Sequence, residues 1–279
     1  MKYVFAFICA TIILVIAGTS TASAAVQLPL NPRYAALGDS VAAGAGLPLS
    51  AGATAEDTLC SRSPSAYPYQ VAASLRTDVT FLACSGAKVN AGLYGTQTRK
   101  GNLISAQIDQ AFSVAKPDVI TITIGANDAR WIEFMSKCYI ATCGSRFDTA
   151  AAKVLRADLR VELGAALYRI KYLSGNAAPP KVLISGYYSP LAMAECLGQG
   201  RITQTELSWI KAQTSSLNQA IRSVVPYFSY VTYVPIDFTG HELCSTDPWV
   251  QSISGAVPLH PTARGQSAIA QSFVNAIAR

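Results

Sequence analysis

Short apolar or β-branched runs alternate with longer stretches of helical period along most of this chain, and that alternation constrains its fold more than any other feature. The runs are Tyr34 to Leu37, Val79 to Cys84, Val119 to Ile124, Lys181 to Ser185 and Tyr230 to Pro235. The third and fourth, Val119-Ile-Thr-Ile-Thr-Ile124 and Val182-Leu-Ile, suit strands covered on both faces. Between the runs, helices are predicted at Tyr67 to Leu75, Leu103 to Phe112, Thr149 to Leu173, Thr203 to Val225 and Ala263 to Ala278. Pro261 stands just ahead of the last of these, where proline suits a helix start. Strands alternating with helices imply an α/β fold, with a parallel sheet between two helical layers. No linker rich in Pro, Gly or Ser and no internal repeat divides the sequence, so residues 26–279 read as one domain.

The first 25 residues read as a separate segment: Lys2, an apolar run from Tyr3 to Gly18, then small residues ending in Ala22-Ser23-Ala24-Ala25. This is the layout of a secretory signal peptide cleaved near Ala24 or Ala25. The apolar run is shorter than the roughly 20 residues a bilayer span needs, and no later stretch is long enough either. Cleavage removes Cys9 and leaves six of the seven cysteines, an even number in an oxidising compartment. Six cysteines allow 15 pairings, so the residues alone leave the connectivity open. No Cys-x-x-Cys occurs and both histidines lie elsewhere, so neither a metal nor another cofactor is expected. The net charge of +6 is spread without a basic run, which argues against a nucleic-acid partner. Charged residues make up only 14% of the chain and hydrophobic ones 51%, as in a compact globular protein and unlike a disordered one. A monomer is expected.

In a parallel sheet every loop that follows a strand emerges at the carboxyl edge, where ligands bind. Those loops, 38–60, 85–100, 125–146, 186–201 and 236–260, hold or border all six remaining cysteines and both histidines. The first begins Gly38-Asp39-Ser40, which places a serine near a helix amino end, where free N–H groups stabilise negative charge. As a helix cap the same residues are equally ordinary. The second loop holds Ser85-Gly86-Ala87, whose glycine brings a backbone N–H close to a ligand. The third reads Gly125-Ala126-Asn127-Asp128, whose asparagine offers an uncharged donor. With the N–H of Ser40 these make three candidate donors to the oxyanion of an acyl transfer. A serine nucleophile needs a base, and His241 and His260 are the two candidates, both on the loop after the fifth strand. Asp39 and Asp128 read as turn-holding residues, and Trp249 either lines a pocket or packs its loop.

Ser40 in Gly-Asp-Ser, Gly86, Asn127 in Gly-Ala-Asn-Asp and His260 resemble, in order and spacing, the four sequence blocks of the SGNH hydrolases, also called GDSL esterases and lipases. The resemblance runs from about Arg33 to the end of the chain. It implies a flavodoxin-like three-layer α/β/α fold on a five-stranded parallel sheet. It also implies Ser40 as nucleophile, His260 as base and then acid, and an oxyanion hole of Ser40, Gly86 and Asn127. The cysteines are similar in arrangement to those of secreted actinobacterial lipases of this family. That similarity implies the pairs Cys60–Cys84, Cys138–Cys143 and Cys196–Cys244.

One position departs from the family pattern. Most members carry an aspartate three residues before the histidine, and here that residue is Val257. The expectation is therefore a Ser-His dyad in which the Val257 main-chain carbonyl, rather than Asp237, Glu242 or Asp247, orients the His260 ring. The expected function is a secreted serine esterase or lipase acting on small-molecule or lipid esters. A carbohydrate acetyl esterase is the alternative within enzymes, and a non-catalytic secreted binding protein is the alternative outside them.

Overall fold

A computed structural model describes residues 28–114, 116–198 and 201–279, so the expected signal segment and its expected cleavage site lie outside the described residues. The principal sheet contains β1 (Tyr34–Gly38), β2 (Val79–Phe81), β5 (Val119–Thr123), β6 (Lys181–Ser185) and β7 (Val231–Val234). All pairings are parallel and the order is β2-β1-β5-β6-β7. Every residue of β1 and of β5 is buried, as continuous apolar runs require when helices cover both faces. The polar exceptions are paired: Thr121 bonds with Tyr34 at 2.7 Å, and Thr123 with Ser185 at 2.8 Å.

The helices are α1 (Ser40–Ala43), α2 (Ala55–Cys60), α3 (Tyr67–Leu75), α4 (Gln107–Val114), α5 (Trp131–Ile140), α6 (Arg146–Ser174), α7 (Gln204–Val224) and α8 (Ala263–Ile277). Helix α3 packs on α8, with Tyr67 stacked on Phe273 at 4.8 Å, while α6 packs on α4 and α7. Helix α6 begins three residues before the expected Thr149. Ser145 and Asp148 there exchange side-chain bonds with each other's backbone N–H, a cap that fixes the start at Arg146. The expected helix from Leu103 is partly replaced by a hairpin of β3 (Gln97–Arg99) and β4 (Asn102–Ile104). Lys100 and Gly101, both at positive φ, close that hairpin in two residues. Cys60 is disulfide-bonded to Cys84, Cys138 to Cys143 and Cys196 to Cys244.

Between β1 and β5 the chain changes direction across the sheet. It runs from β1 outward to β2 at the edge, then returns to β5 on the other side of β1. Loops leaving two such strands diverge and open a crevice at their carboxyl ends. The loops that open here carry Ser40 and Asn127.

Candidate active site

Strand β1 ends at Gly38 with φ of +139°, and a Cβ there would stand 2.2 Å from the Thr123 carbonyl. Only glycine lets the chain leave the sheet this close to β5. Asp39 then caps α1, its carboxylate accepting the Val41 N–H at 2.9 Å, and Ser40 is the first helical residue. That position leaves the Ser40 N–H without a protein acceptor among the described residues.

His260 reaches Ser40 from the loop before α8. Its Nε2 lies 2.7 Å from Ser40 Oγ and its Nδ1 lies 3.1 Å from the Pro258 carbonyl. A carbonyl only accepts, so Nδ1 carries the proton and Nε2 is free to accept the Ser40 O–H. The expected carbonyl of Val257 is not the one used. Leu259 takes a left-handed φ of +64°, which folds the ring back over Pro258, while the Val257 carbonyl faces the His260 backbone N–H at 3.4 Å. Among the described residues no carboxylate bonds to the ring. Asp237 accepts from Thr239, Glu242 from the Gly240 N–H and Asp247 from Arg264. Burial lowers the His260 pKa below its ordinary value, against a smaller opposing effect of the Pro258 carbonyl.

Asn127 and Ser40 share one cavity wall with His260. One hydrogen of the Asn127 amide goes to the Ala87 carbonyl at 2.9 Å, leaving the second available to a ligand. Gly86, at φ +80°, stands outside the cavity wall, and the Asn127 bond to Ala87 ties its turn to the site. Its N–H, like that of Ser40, has no protein acceptor among the described residues. His241 stands apart. Its ring stacks flat on Trp249 at 3.7 Å and its Nδ1 lies 2.9 Å from the Asp247 carbonyl. Trp249 therefore packs its own loop.

Behind Ser40 lies a fully buried carboxylate. Asp39 accepts the Tyr187 O–H at 2.5 Å as well as the Val41 N–H, and burial, outweighing both bonds, pushes its pKa up to about 7. Asp128 accepts the Val89 N–H at 2.9 Å and is pushed up to about 6, again chiefly by burial. Sequence reasoning did not single out Tyr187, Gln107, Gln251 or Gln266. Gln107 bonds both the N–H and the carbonyl of Gly38, at 2.7 and 3.0 Å. Gln266 donates to the Val41 carbonyl, and Gln251 donates to the carbonyls of Ala45 and Pro261, joining the serine turn to the histidine loop. Single polar residues carry no periodic signal; Tyr187, two residues past β6 at the carboxyl edge, was open to suspicion from its position.

The cavity at Ser40 holds about 110 Å³ and is walled mainly by Val41, Trp131, Ile132, Tyr187, Tyr188 and Leu259. Ile132 and Leu259 also wall a wider hollow of about 420 Å³ with Met135, Tyr139, Ile140 and Ile253. Among the described residues no Asp, Glu, Lys or Arg side chain lines either space. Among the described residues no cluster of three or more His, Cys, Asp or Glu side chains is placed to hold a metal ion.

Residues 36–268 match the GDSL-like lipase/acylhydrolase family. Lipase 1 of Streptomyces coelicolor is 32% identical over 260 residues, which cover 90% of this chain and 88% of that protein. The crystal structure of an extracellular lipase from Streptomyces rimosus superposes with a TM-score of 0.65 and 27% identity, covering 89% of this chain and all of that one. A phospholipase A1 from Streptomyces albidoflavus gives a TM-score of 0.63 and 26% identity, covering 88% of this chain and 98% of its own.

Proposed function

The chain belongs to the GDSL-like lipase/acylhydrolase family and is a carboxylic ester hydrolase; from that premise we propose that Ser40 and His260 form its catalytic dyad. The observation that carries this reading is the 2.7 Å contact of His260 Nε2 with Ser40 Oγ, with Nδ1 held on a backbone carbonyl. His260 Nε2 takes the Ser40 proton as Oγ attacks the ester carbonyl carbon. The oxyanion rests on the Ser40 and Gly86 N–H groups and the free Asn127 hydrogen. The intermediate collapses, the alkoxide takes the proton from Nε2, and an acyl-Ser40 ester remains. Water then gives its proton to Nε2 and attacks that ester; the acid departs and Oγ regains the proton. The Pro258 carbonyl dipole stabilises the imidazolium where a carboxylate does so in a triad.

The apolar cavity beside Ser40, continued through Ile132 and Leu259 into the wider hollow, supports acyl chains as its occupants rather than acetyl groups on a carbohydrate. An acetylated polysaccharide calls for polar walls around the sugar, and few polar groups line these spaces. The protein acts after export as one domain, residues 26–279, with its signal removed near Ala24 or Ala25. A fluorophosphonate probe tests the dyad: labelling of the purified protein must disappear in Ser40→Ala, and persistent labelling refutes Ser40 as nucleophile. Turnover across nitrophenyl esters from acetyl to palmitoyl, beside acetylated xylan, tests the substrate class. Preference for xylan or acetate defeats the acyl-chain reading.

A further inference from the structure

Tyr187 joins the two turns that flank the reacting centre. It is 7% exposed, and its hydroxyl makes two bonds of opposite sense: the O–H donates to Asp39 Oδ2 at 2.5 Å, and the oxygen accepts the Ala126 N–H at 3.1 Å. The other oxygen of Asp39 accepts the Val41 N–H at 2.9 Å. An unbroken path thus runs from the residue preceding Asn127, through one phenol and one carboxylate, to the first turn of the helix that begins with Ser40. The phenol is itself fixed. Asn218 on α7 accepts the Tyr187 N–H and donates to the Tyr187 carbonyl, both at 2.7 Å. Gly186 lets the chain pass there, since a Cβ on it would stand 2.2 Å from the Tyr233 hydroxyl and 2.8 Å from Asn218.

The β1–β5 ladder sets the spacing of these two turns as far as Gly38 and Thr123, with one further bond from the Asp39 N–H to the Thr123 carbonyl at 2.9 Å, beyond which the loops diverge. Oxyanion donors contribute only when they converge on one oxygen, and small displacements weaken them steeply. From this geometry we propose that Tyr187 is a positioning residue for ester hydrolysis: its hydroxyl holds the Gly125–Asn127 turn against the Ser40 turn, so that the Ser40 N–H and the Asn127 amide meet the same oxyanion. The proposal rests on the dyad and oxyanion reading above. It assigns no proton transfer to the phenol, which touches Asp39 and Ala126 rather than Ser40 Oγ or His260.

Tyr187→Phe keeps the ring in the cavity wall and removes only the hydroxyl. On a short nitrophenyl ester kcat is expected to fall by about 10-fold to 100-fold, up to the loss of one oxyanion donor, with KM within about 2-fold. A double-mutant cycle with Asn127→Ala supplies the readout that a packing role would not move. If the hydroxyl acts through the Asn127 turn, the double variant is no more than about 3-fold slower than Asn127→Ala alone. Unchanged kcat in Tyr187→Phe, or fold-losses that multiply in the double variant, overturns the proposal. If Tyr187→Phe does not fold, Asp39→Asn interrogates the same path from its other end, with the same requirement of a kcat loss that does not multiply. Should Ser40→Ala retain turnover, the underlying reading fails instead, and the two failures are distinct.

Discussion

The turn that carries Ser40 and the loop that carries His260 meet at one contact but are held by different means. The serine turn is buried and fastened by side chains: Gln107 brackets Gly38, Gln266 holds the Val41 carbonyl, and Tyr187 holds Asp39. The histidine loop is exposed at Ser252, Ile253, Ser254, Ala256 and Pro258, and is fastened mostly by backbone. Gln251 N donates to the His260 carbonyl at 2.7 Å and Leu259 N to the Gln251 carbonyl at 3.1 Å. Tyr188 O–H donates to the Leu259 carbonyl at 2.8 Å. Ser40 is thus placed by the core and His260 by a short pinned loop, so stability and turnover should separate between them.

The largest effect tests whether the two halves act as one unit. Ser40→Ala and His260→Ala should each lower kcat by about 10⁴-fold to 10⁶-fold, and the double variant should lose little more. Additive losses would show that the dyad is misassigned. Next, Gln107→Ala leaves the Gly38 N–H unpaired in the core, while the Gly38 carbonyl keeps the Cys84 N–H at 3.0 Å, and should lower unfolding free energy by roughly 1 to 3 kcal/mol in urea. Gln251→Ala should cost less than half of that while lowering kcat by about 10-fold. Equal stability losses, or a silent Gln251→Ala, would erase the contrast.

Acid should expose the same division. Because burial lowers the His260 pKa, the neutral base survives below the ordinary value of 6.5, and the acid limb of kcat/KM should have its midpoint below that pH. A midpoint above it contradicts the desolvation of the His260 ring. Asp39 works in the opposite sense, on stability. A carboxyl raised from 3.8 to about 7 binds a proton in the fold that the unfolded chain has lost, so its contribution is complete below 3.8 and is lost as pH rises through about 7. Thermal melts between pH 4 and 8 should therefore fall relative to those of Asp39→Asn, and parallel curves would deny the buried charge. The smallest effect is His241→Ala, which should leave kcat within about 2-fold because its ring serves the Trp249 stack.

The sheet was legible because β1, β5 and β6 lie between layers and needed unbroken apolar runs. The juxtaposition of Ser40 and His260 was legible because Gly-Asp-Ser and a histidine before the last helix resemble a family's blocks; the cysteine pairing came from that resemblance too, not from spacing. What escaped is set by dihedral angles and long-range partners. The substitution of Pro258 for Val257 as His260's support depends on the left-handed φ of Leu259, which a leucine does not advertise. The hairpin at 97–104 displaced a helix because two consecutive residues took positive φ. Gln107 bonds Gly38 from 69 residues away, a separation at which one glutamine resembles any other.

The contact between Ser40 and His260 spans 220 residues, and the helix that follows His260, α8, is the last element of the chain. Helix α8 docks on α3 by stacking Phe273 on Tyr67, and through Gln266 it reaches the backbone of both α1 and α3. During synthesis the Ser40 turn therefore emerges long before His260, and a chain stopped short of α8 lacks the clamp of Gln266 on Val41 altogether. The Ser40–His260 contact is thus a late event in the life of the fold: it is secured only once α8 has been made.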